Sequence, residues 1–202
     1  MGIAVLASGS GSNFEALVQA SQEGRIPAKI TLLIVDNPQA GAIERARRLG
    51  ISFEVVDREA FAQRADFEAA LRTHIDKSPP ALIALAGFMR VLSPDFVSAY
   101  PNKILNIHPA LLPGFPGAHG IHDAYSYGVQ ITGVTVHYVD EGVDTGPIVL
   151  QEALAVDPAK SEEELEAQIH QIEHRLYPEA VRLHLEGKLK VEGRRVSSLR
   201  TQ

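Results

Sequence analysis

Cysteine is absent from the 202-residue chain. Its absence excludes a disulfide framework, a thiolate nucleophile and any zinc or iron–sulfur site with Cys ligands. No apolar run is long enough to span a bilayer, and the chain lacks the basic-then-apolar opening of a secretory leader. We therefore expect a cytoplasmic protein with no membrane partner. Positive charge is also scarce: 19 Lys and Arg stand against 25 Asp and Glu, a formal net charge of −6. Nucleic acid as the main partner would need a Lys/Arg surface to neutralise phosphates, and this balance argues against it. A small anion is a different matter, because a helix N-terminus or a single Arg can hold one. No repeat, linker or low-complexity tract interrupts the chain. With 45% hydrophobic and 22% charged residues, it suits a single domain over 1–202 with a substantial core.

Strand and helix signals alternate from the start. Apolar runs at 3–7, 30–35, 53–56 and 81–86 read as strands, and 30–35 is continuously apolar, as a strand covered on both faces would be. Between them the spacing predicts helices over 12–22, 42–49 and 59–75. Ser12 with Glu15 has the form of a capping box, and Gly24 and Gly50 stand where helices stop. Ser93 and Pro94 open a short helix over 94–99. Residues 104–108, 131–139 and 148–155 read as strands and 122–127 as a helix. Ser161 and Glu164 open a long helix with a stripe of Leu165, Ile169, Ile172 and Leu176; Pro178 is expected to bend or interrupt it before it resumes to Leu185. Residues 189–191 and 195–197 suit a terminal hairpin around Gly193. The order implies an α/β fold with a doubly wound, mostly parallel sheet and a mixed C-terminal half.

Three stretches carry the polar chemistry. The first is Asn106-Ile107-His108-Pro109, followed by Leu111-Leu112-Pro113 and later by Asp144. On a strand, Asn106 and His108 share a face while Ile107 points into the core. Pro109 ends the strand, so amide and imidazole sit at its C-terminal tip, where open α/β sheets bind ligands. An amide can donate to an oxyanion, and an imidazole can do so or move a proton. Asp144 joins them only if the 140–147 loop folds back, which spacing does not establish. The second stretch, Gly9-Ser10-Gly11-Ser12-Asn13, turns from a strand into a helix N-terminus that can face an anion. Phe14 stands where a dinucleotide fingerprint would have Gly, and no P-loop Lys follows. A tight turn with a helix cap accounts for these residues equally well. The third, Gly87-Phe88-Met89-Arg90-Val91-Leu92, could line a hydrophobic slot, or simply lead core residues into a capped helix. His170 and Glu173 lie on one helix face beside the buried stripe and could share a pocket. His119 and His122, with His108 or His137, were weighed as metal ligands; without a His-Glu-x-x-His helix, no metal site is expected.

Together these segments resemble the glycinamide ribonucleotide formyltransferases. The motifs are Gly-x-Gly-Ser-Asn at 9–13, Gly-Phe-Met-Arg at 87–90, Asn-Ile-His-Pro-x-Leu-Leu-Pro at 106–113, Gly-x-Thr-Val-His at 133–137, Asp-x-Gly-Pro-Ile at 144–148 and Glu-His-x-x-Tyr-Pro at 173–178. They cover essentially the whole chain, in order. The resemblance implies an enzyme that moves a formyl group from 10-formyltetrahydrofolate, a co-substrate, to the amine of 5'-phosphoribosylglycinamide, with no metal. It implies Asn106, His108 and Asp144 as the catalytic set, with protonated His108 held by Asp144. Gly11, Ser12 and Asn13 would hold the substrate phosphate, and Gly87, Met89, Pro109, Glu173 and His170 would also meet the ribonucleotide. The resemblance implies Gln or Lys at the position of His170, so this chain departs from the pattern there. Met89, Arg90, Val91, Leu92, Val97, Asp140, Glu141, Gly142 and Val143 would bind the pterin end of the folate, and Arg64 its anionic tail. Residues 1–100 would then form a phosphate-binding half and 101–202 a catalytic and folate-binding half. The expected partners are these small molecules, not nucleic acid, and the chain would be a monomer or homodimer. The rival readings are a 10-formyltetrahydrofolate hydrolase, a methionyl-tRNA formyltransferase and a non-catalytic nucleotide-binding module. The hydrolases resemble a longer architecture with an N-terminal regulatory domain, whereas here the first strand begins at Ile3; the tRNA enzymes add a C-terminal domain, and only a short tail follows Leu185. A binding module would leave Asn106, His108 and Asp144 unused.

Overall fold

A computed structural model of the protein describes residues 2–198. Strand β1 (Gly2–Ala7) turns into helix α1 (Ser12–Gln22), followed by β2 (Lys29–Val35), α2 (Ala42–Leu49), β3 (Phe53–Val55) and α3 (Arg64–Ile75). Next come β4 (Leu82–Leu85), a short α4 (Pro94–Ser98), β5 (Ile104–His108), α5 (Gly120–Tyr127), β6 (Ile131–Tyr138) and β7 (Ile148–Ala155). The long α6 (Glu162–Leu185) precedes a hairpin of β8 (Leu189–Glu192) and β9 (Arg195–Ser198). Seven strands form one sheet in the order β3-β2-β1-β4-β5-β6-β7. The strands from β3 to β5 pair in parallel, whereas β5 with β6 and β6 with β7 pair antiparallel. Among the described residues no helix is long and apolar enough to cross a membrane.

Side-chain alternation explains why both faces of the sheet are covered. Ile3, Val5 and Ala7 of β1 meet Phe14 and Leu17 of α1 and Ile169, Ile172 and Tyr177 of α6. Leu6 points the other way, to Phe67, Leu71 and Ile75 of α3 and Phe96 of α4. Full burial of one such aliphatic or Phe side chain contributes about 1.5–3 kcal/mol, so these two layers carry much of the stability. The chain leaves β1 toward β2 on one side and returns to β4 on the other. The loops after β1 and β4 therefore diverge, which opens a crevice at the carboxyl ends of the strands.

Three local expectations are corrected. Ser12 and Glu15 do not form a capping box. The N-cap of α1 is Gly11, in the left-handed region at φ 78, with no side-chain cap. A Cβ there would lie 2.6 Å from the Ala42 Cβ, so close packing against the start of α2 demands glycine. Glu15 turns instead to Arg45 and Arg48 of α2. The expected helix over 59–75 is split. The Asp57 side chain accepts from the Glu59 N–H at 3.0 Å and caps a single 3-10 turn over Arg58–Ala60, Phe61 is extended, and α3 starts only at Arg64. Finally, Pro178 does not interrupt α6, which runs on to Leu185. Tyr177, Ala180 and Val181 around it are completely buried against the sheet, and the Tyr177 hydroxyl lies 2.9 Å from both the Leu85 and Leu105 carbonyls. Tertiary packing on both sides outweighs the one lost helical hydrogen bond. At the other end of α6 the Ser161–Glu164 capping box is complete in both directions.

Candidate active site

Strand β5 presents Asn106 and His108 on one face, as its alternation requires. Asp144 reaches them because the loop after β6 doubles back. The Tyr138 N–H donates to the Pro147 carbonyl at 2.9 Å, and a Cβ at Gly146 would lie 1.7 Å from the Tyr138 carbonyl oxygen, so only glycine allows this closure. Asp140 ties the loop internally by accepting from the Thr145 hydroxyl at 2.6 Å and the Gly142 N–H at 3.1 Å. Asp144 itself takes φ 54, a strained backbone for a residue with a side chain. Its Oδ2 accepts from the Gly117 N–H at 2.8 Å and lies 3.5 Å from His108 Nδ1. Its Oδ1 accepts from Asn106 Nδ2 at 3.4 Å. Amide, imidazole and carboxylate from two distant stretches thus converge on one point.

A fourth side chain completes the cluster. His137 of β6 stands directly across from Asn106 in the antiparallel register. Its Nδ1 donates to the Tyr138 carbonyl at 2.8 Å, so Nε2 is left to accept from Asn106 Nδ2 at 3.2 Å. Its Nε2 is also 3.5 Å from Asp144 Oδ1. From sequence alone His137 stands out only as a candidate metal ligand; the Gly-x-Thr-Val-His strand is the usable signal, since its pairing with β5 brings position 137 beside position 106. Among the described residues no group of three or more His, Asp and Glu is arranged to hold a metal ion.

The electrostatics correct the expectation of a standing imidazolium. Burial, with His108 only 3% exposed, pulls its pKa below the ordinary histidine value. Asp144 and the Phe115 carbonyl act in the opposite sense without offsetting it. The ring is therefore mainly neutral at pH 7, with Nε2 donating to the Phe115 carbonyl at 2.7 Å. Both ring nitrogens nevertheless face acceptors, so a second proton on Nδ1 would find Asp144. For Asp144, burial favours the neutral acid, but the His137 ring, the Gly117 N–H and the His108 ring prevail and hold its pKa below the usual carboxylate range.

The cluster lies in a cleft with two lobes. The apolar lobe runs between residues 88–92 and Val139, Asp140, Gly142 and Val143. Met89, Val91 and Val143 are 58%, 56% and 48% exposed, and their grouping in one lobe is the kind of apolar patch that marks a ligand groove. The polar lobe is lined by Gly9 to Asn13 and, from α5 and α6, by His122, Glu166, His170 and Glu173. Gly87, Met89, Ile107, Pro109 and Ala118 belong to both lobes and form their junction, where β5 ends. In the polar lobe the nearly buried Glu173 carboxylate accepts from Asn13 Nδ2 at 2.9 Å and from His170 Nδ1 at 2.7 Å. The bond to Glu173 raises the His170 pKa above its ordinary value, against the effect of burial.

The structure brings most of the expected site residues to this cleft. Three do not line it, and one of these, Glu141, is exposed on the loop between Asp140 and Gly142. Val97 is buried with Phe88, Leu92 and Phe96 beneath the apolar lobe. Arg64 lies at the start of α3, 3.8 Å from Glu68, which in turn accepts from the Ser93 N–H at 2.7 Å. Each lobe draws on both halves of the sequence, since α6 and the loop after β1 share the polar one.

Comparison with known proteins gives one consistent result. Residues 1–181 match the formyl transferase family. The chain is 44% identical over 179 residues to a phosphoribosylglycinamide formyltransferase of Bacillus subtilis, covering 89% of this chain and 92% of that one. It is 38% identical over 191 residues to the protein of that name from Escherichia coli, covering 95% and 90%. The crystal structure of glycinamide ribonucleotide transformylase 1 from Symbiobacterium toebii is 45% identical, with a TM-score of 0.96 over 99% of this chain and 94% of that one. With a fold, a site and relatives that agree over nearly the whole sequence, the chain belongs to the formyl transferase family.

Proposed function

We propose that the protein transfers the formyl group of 10-formyltetrahydrofolate to the amine of 5'-phosphoribosylglycinamide, a step of purine synthesis. The observation that carries this reading is the convergence of Asn106, His108 and Asp144 beside the junction of an apolar and a polar lobe. Two ligands entering from opposite ends would bring their reacting atoms together at that junction. Such alignment is worth roughly 7–11 kcal/mol of barrier. The apolar lobe suits the flat ring system of the folate. In the polar lobe the free N–H groups at the start of α1, with His170 when protonated, suit a phosphate.

In the reaction the amine nitrogen attacks the formyl carbon, and the carbonyl becomes a tetrahedral oxyanion. Asn106 Nδ2 is a donor for that oxygen. Its present contacts at 3.2 and 3.4 Å are long, and a charged acceptor would displace one of them. The neutral His108 ring is the second donor: its Nε2–H turns from the Phe115 carbonyl to that oxygen, while Asp144 stands beside Nδ1. The Asp144 carboxylate, kept ionised by its neighbours, takes the proton released by the attacking amine. The carbon–nitrogen bond to the folate then breaks, and that proton passes to the departing nitrogen. Glu173 and Asn13 orient the arm that bears the amine. His137 holds Asn106 and Asp144 in register.

Incubating the protein with 10-formyltetrahydrofolate, with and without the ribonucleotide, tests the assignment. The expected result is formyl loss that depends on the ribonucleotide and matches formation of the formylated amide. Loss at the same rate without the ribonucleotide would make the protein a hydrolase, and no loss in either case would make it a binding module.

A further inference from the structure

The chain over 87–93 has no regular secondary structure, yet it builds one wall of the apolar lobe. Its side chains are sorted: Phe88 and Leu92 are buried in the core between the sheet, α3 and α4, while Met89 and Val91 are exposed to the cleft. An irregular segment that shows apolar groups to water needs something to hold it. Three polar attachments do so, each from a different element. The Met89 N–H donates to the Ser8 hydroxyl, at the tip of β1, at 2.8 Å. The Ser93 N–H and hydroxyl donate to the two oxygens of Glu68, a nearly buried carboxylate on α3. The third is the most informative. Asp36, at the tip of β2, is 1% exposed, and its Oδ2 accepts from Nε of Arg90. Its Oδ1 is buried with no partner.

A buried carboxylate with one oxygen unsatisfied is costly, and breaking its single ion pair would cost more. Asp36 lines neither lobe of the cleft, and nothing in the reaction uses it. Arg90 lines the apolar lobe, and its guanidinium is the bridge from the rigid sheet to the slot wall. We propose that Asp36 is a positioning residue for the folate slot: through Arg90 it locks the 87–93 segment in the conformation that presents Met89 and Val91 to the flat ring of the co-substrate, with Glu68 and Ser8 as the secondary attachments. This rests on the reading that the apolar lobe takes the folate.

The variant Asp36→Asn keeps the size of the side chain and removes the charge. Tetrahydrofolate binding and the Michaelis constant for 10-formyltetrahydrofolate should weaken by about tenfold, the scale of one lost charge-assisted hydrogen bond. Turnover at saturation and the Michaelis constant for the ribonucleotide should change much less, because Asn106, His108 and Asp144 and the α1 and α6 walls of the polar lobe do not touch Asp36. A purely structural loss would instead lower the active fraction and leave both Michaelis constants unchanged. Amide hydrogen exchange should also rise over 87–93 and not in α1. A double-mutant cycle adds the route: Asp36→Asn combined with Arg90→Gln should be no worse for the folate than either change alone, since each removes the same pair. In an active wild-type background, an unchanged folate constant with unchanged exchange over 87–93 overturns the clamp. Fully additive effects of the two substitutions also overturn it. A wild-type protein that binds no tetrahydrofolate and moves no formyl group overturns the folate reading itself.

Discussion

The two lobes of the cleft are built by different means. The polar lobe rests on regular structure: backbone N–H groups at the start of α1, and His170 and Glu173 projecting from α6. The geometry of a helix end already orients its donors, so Gly11, Ser12 and Asn13 need only to leave room for an anion. The apolar lobe is assembled from two irregular stretches, 87–92 and 139–143. Their shape comes from tertiary attachments: Ser8, Asp36 and Glu68 on one wall, and the Asp140 and Gly146 turn on the other. The difference teaches that a charged ligand can be recognised by orientation inherent in secondary structure, whereas a flat apolar one requires a surface that the chain must be tied down to make.

Changes in the catalytic cluster should slow the reaction without weakening either lobe. Asp144→Asn is expected to lower turnover by about 100-fold or more, the range of positioned acid–base groups, with the fold and both Michaelis constants little altered. Steady-state kinetics and thermal unfolding check this, and near wild-type turnover would remove the carboxylate from the mechanism. The lobes themselves should separate cleanly. Asn13→Ala should raise the ribonucleotide Michaelis constant by about tenfold through loss of a buried hydrogen bond to a charged group, and leave the folate constant alone. Met89→Ala should mostly raise the folate constant, by roughly three- to tenfold, the scale of about 1 kcal/mol of apolar contact. Met89 borders both lobes, so a rise confined to the ribonucleotide would reassign the slot.

The smallest effect concerns pH. His170 has its pKa raised by Glu173, so its charge persists above the ordinary histidine range. On the proposed reading, its contribution to phosphate binding would be complete below that range and lost as pH rises through the raised value. The ribonucleotide Michaelis constant should therefore climb by about threefold across that interval, the folate constant should not, and His170→Asn should flatten the profile. A rise of equal size in the His170→Asn variant would assign the titration elsewhere. Asp144 runs in the opposite sense: with its pKa lowered, the carboxylate is present across neutral pH and is lost only as pH falls through the depressed value.

Much of this site could be read from residue order. Alternation in β5 put Asn106 and His108 on one face, and Pro109 marked the tip. Apolar runs alternating with helical spacing implied the doubly wound sheet, and the Ser161–Glu164 box opened α6 as expected. Other features depended on partners far away in the chain. The Ser12–Glu15 pattern has a capping-box spacing, but the approach of α2 forces Gly11 into the capping position and draws Glu15 to Arg45 and Arg48. Pro178 carries a local signal for a break, which packing of Tyr177 against the sheet overrides. His137 carries no catalytic signal on its own strand.

The amino-acid order by itself determined which groups face the carboxyl ends of the strands, because side-chain direction follows from the two-residue repeat of a strand and the turn of a helix. Folding in three dimensions decided that Asp144 and His137 meet Asn106, that burial leaves His108 neutral at rest, and that Asp36 fastens Arg90. Each of these depends on a distance between segments remote in sequence or on how much water the fold excludes, and neither quantity is encoded in local periodicity.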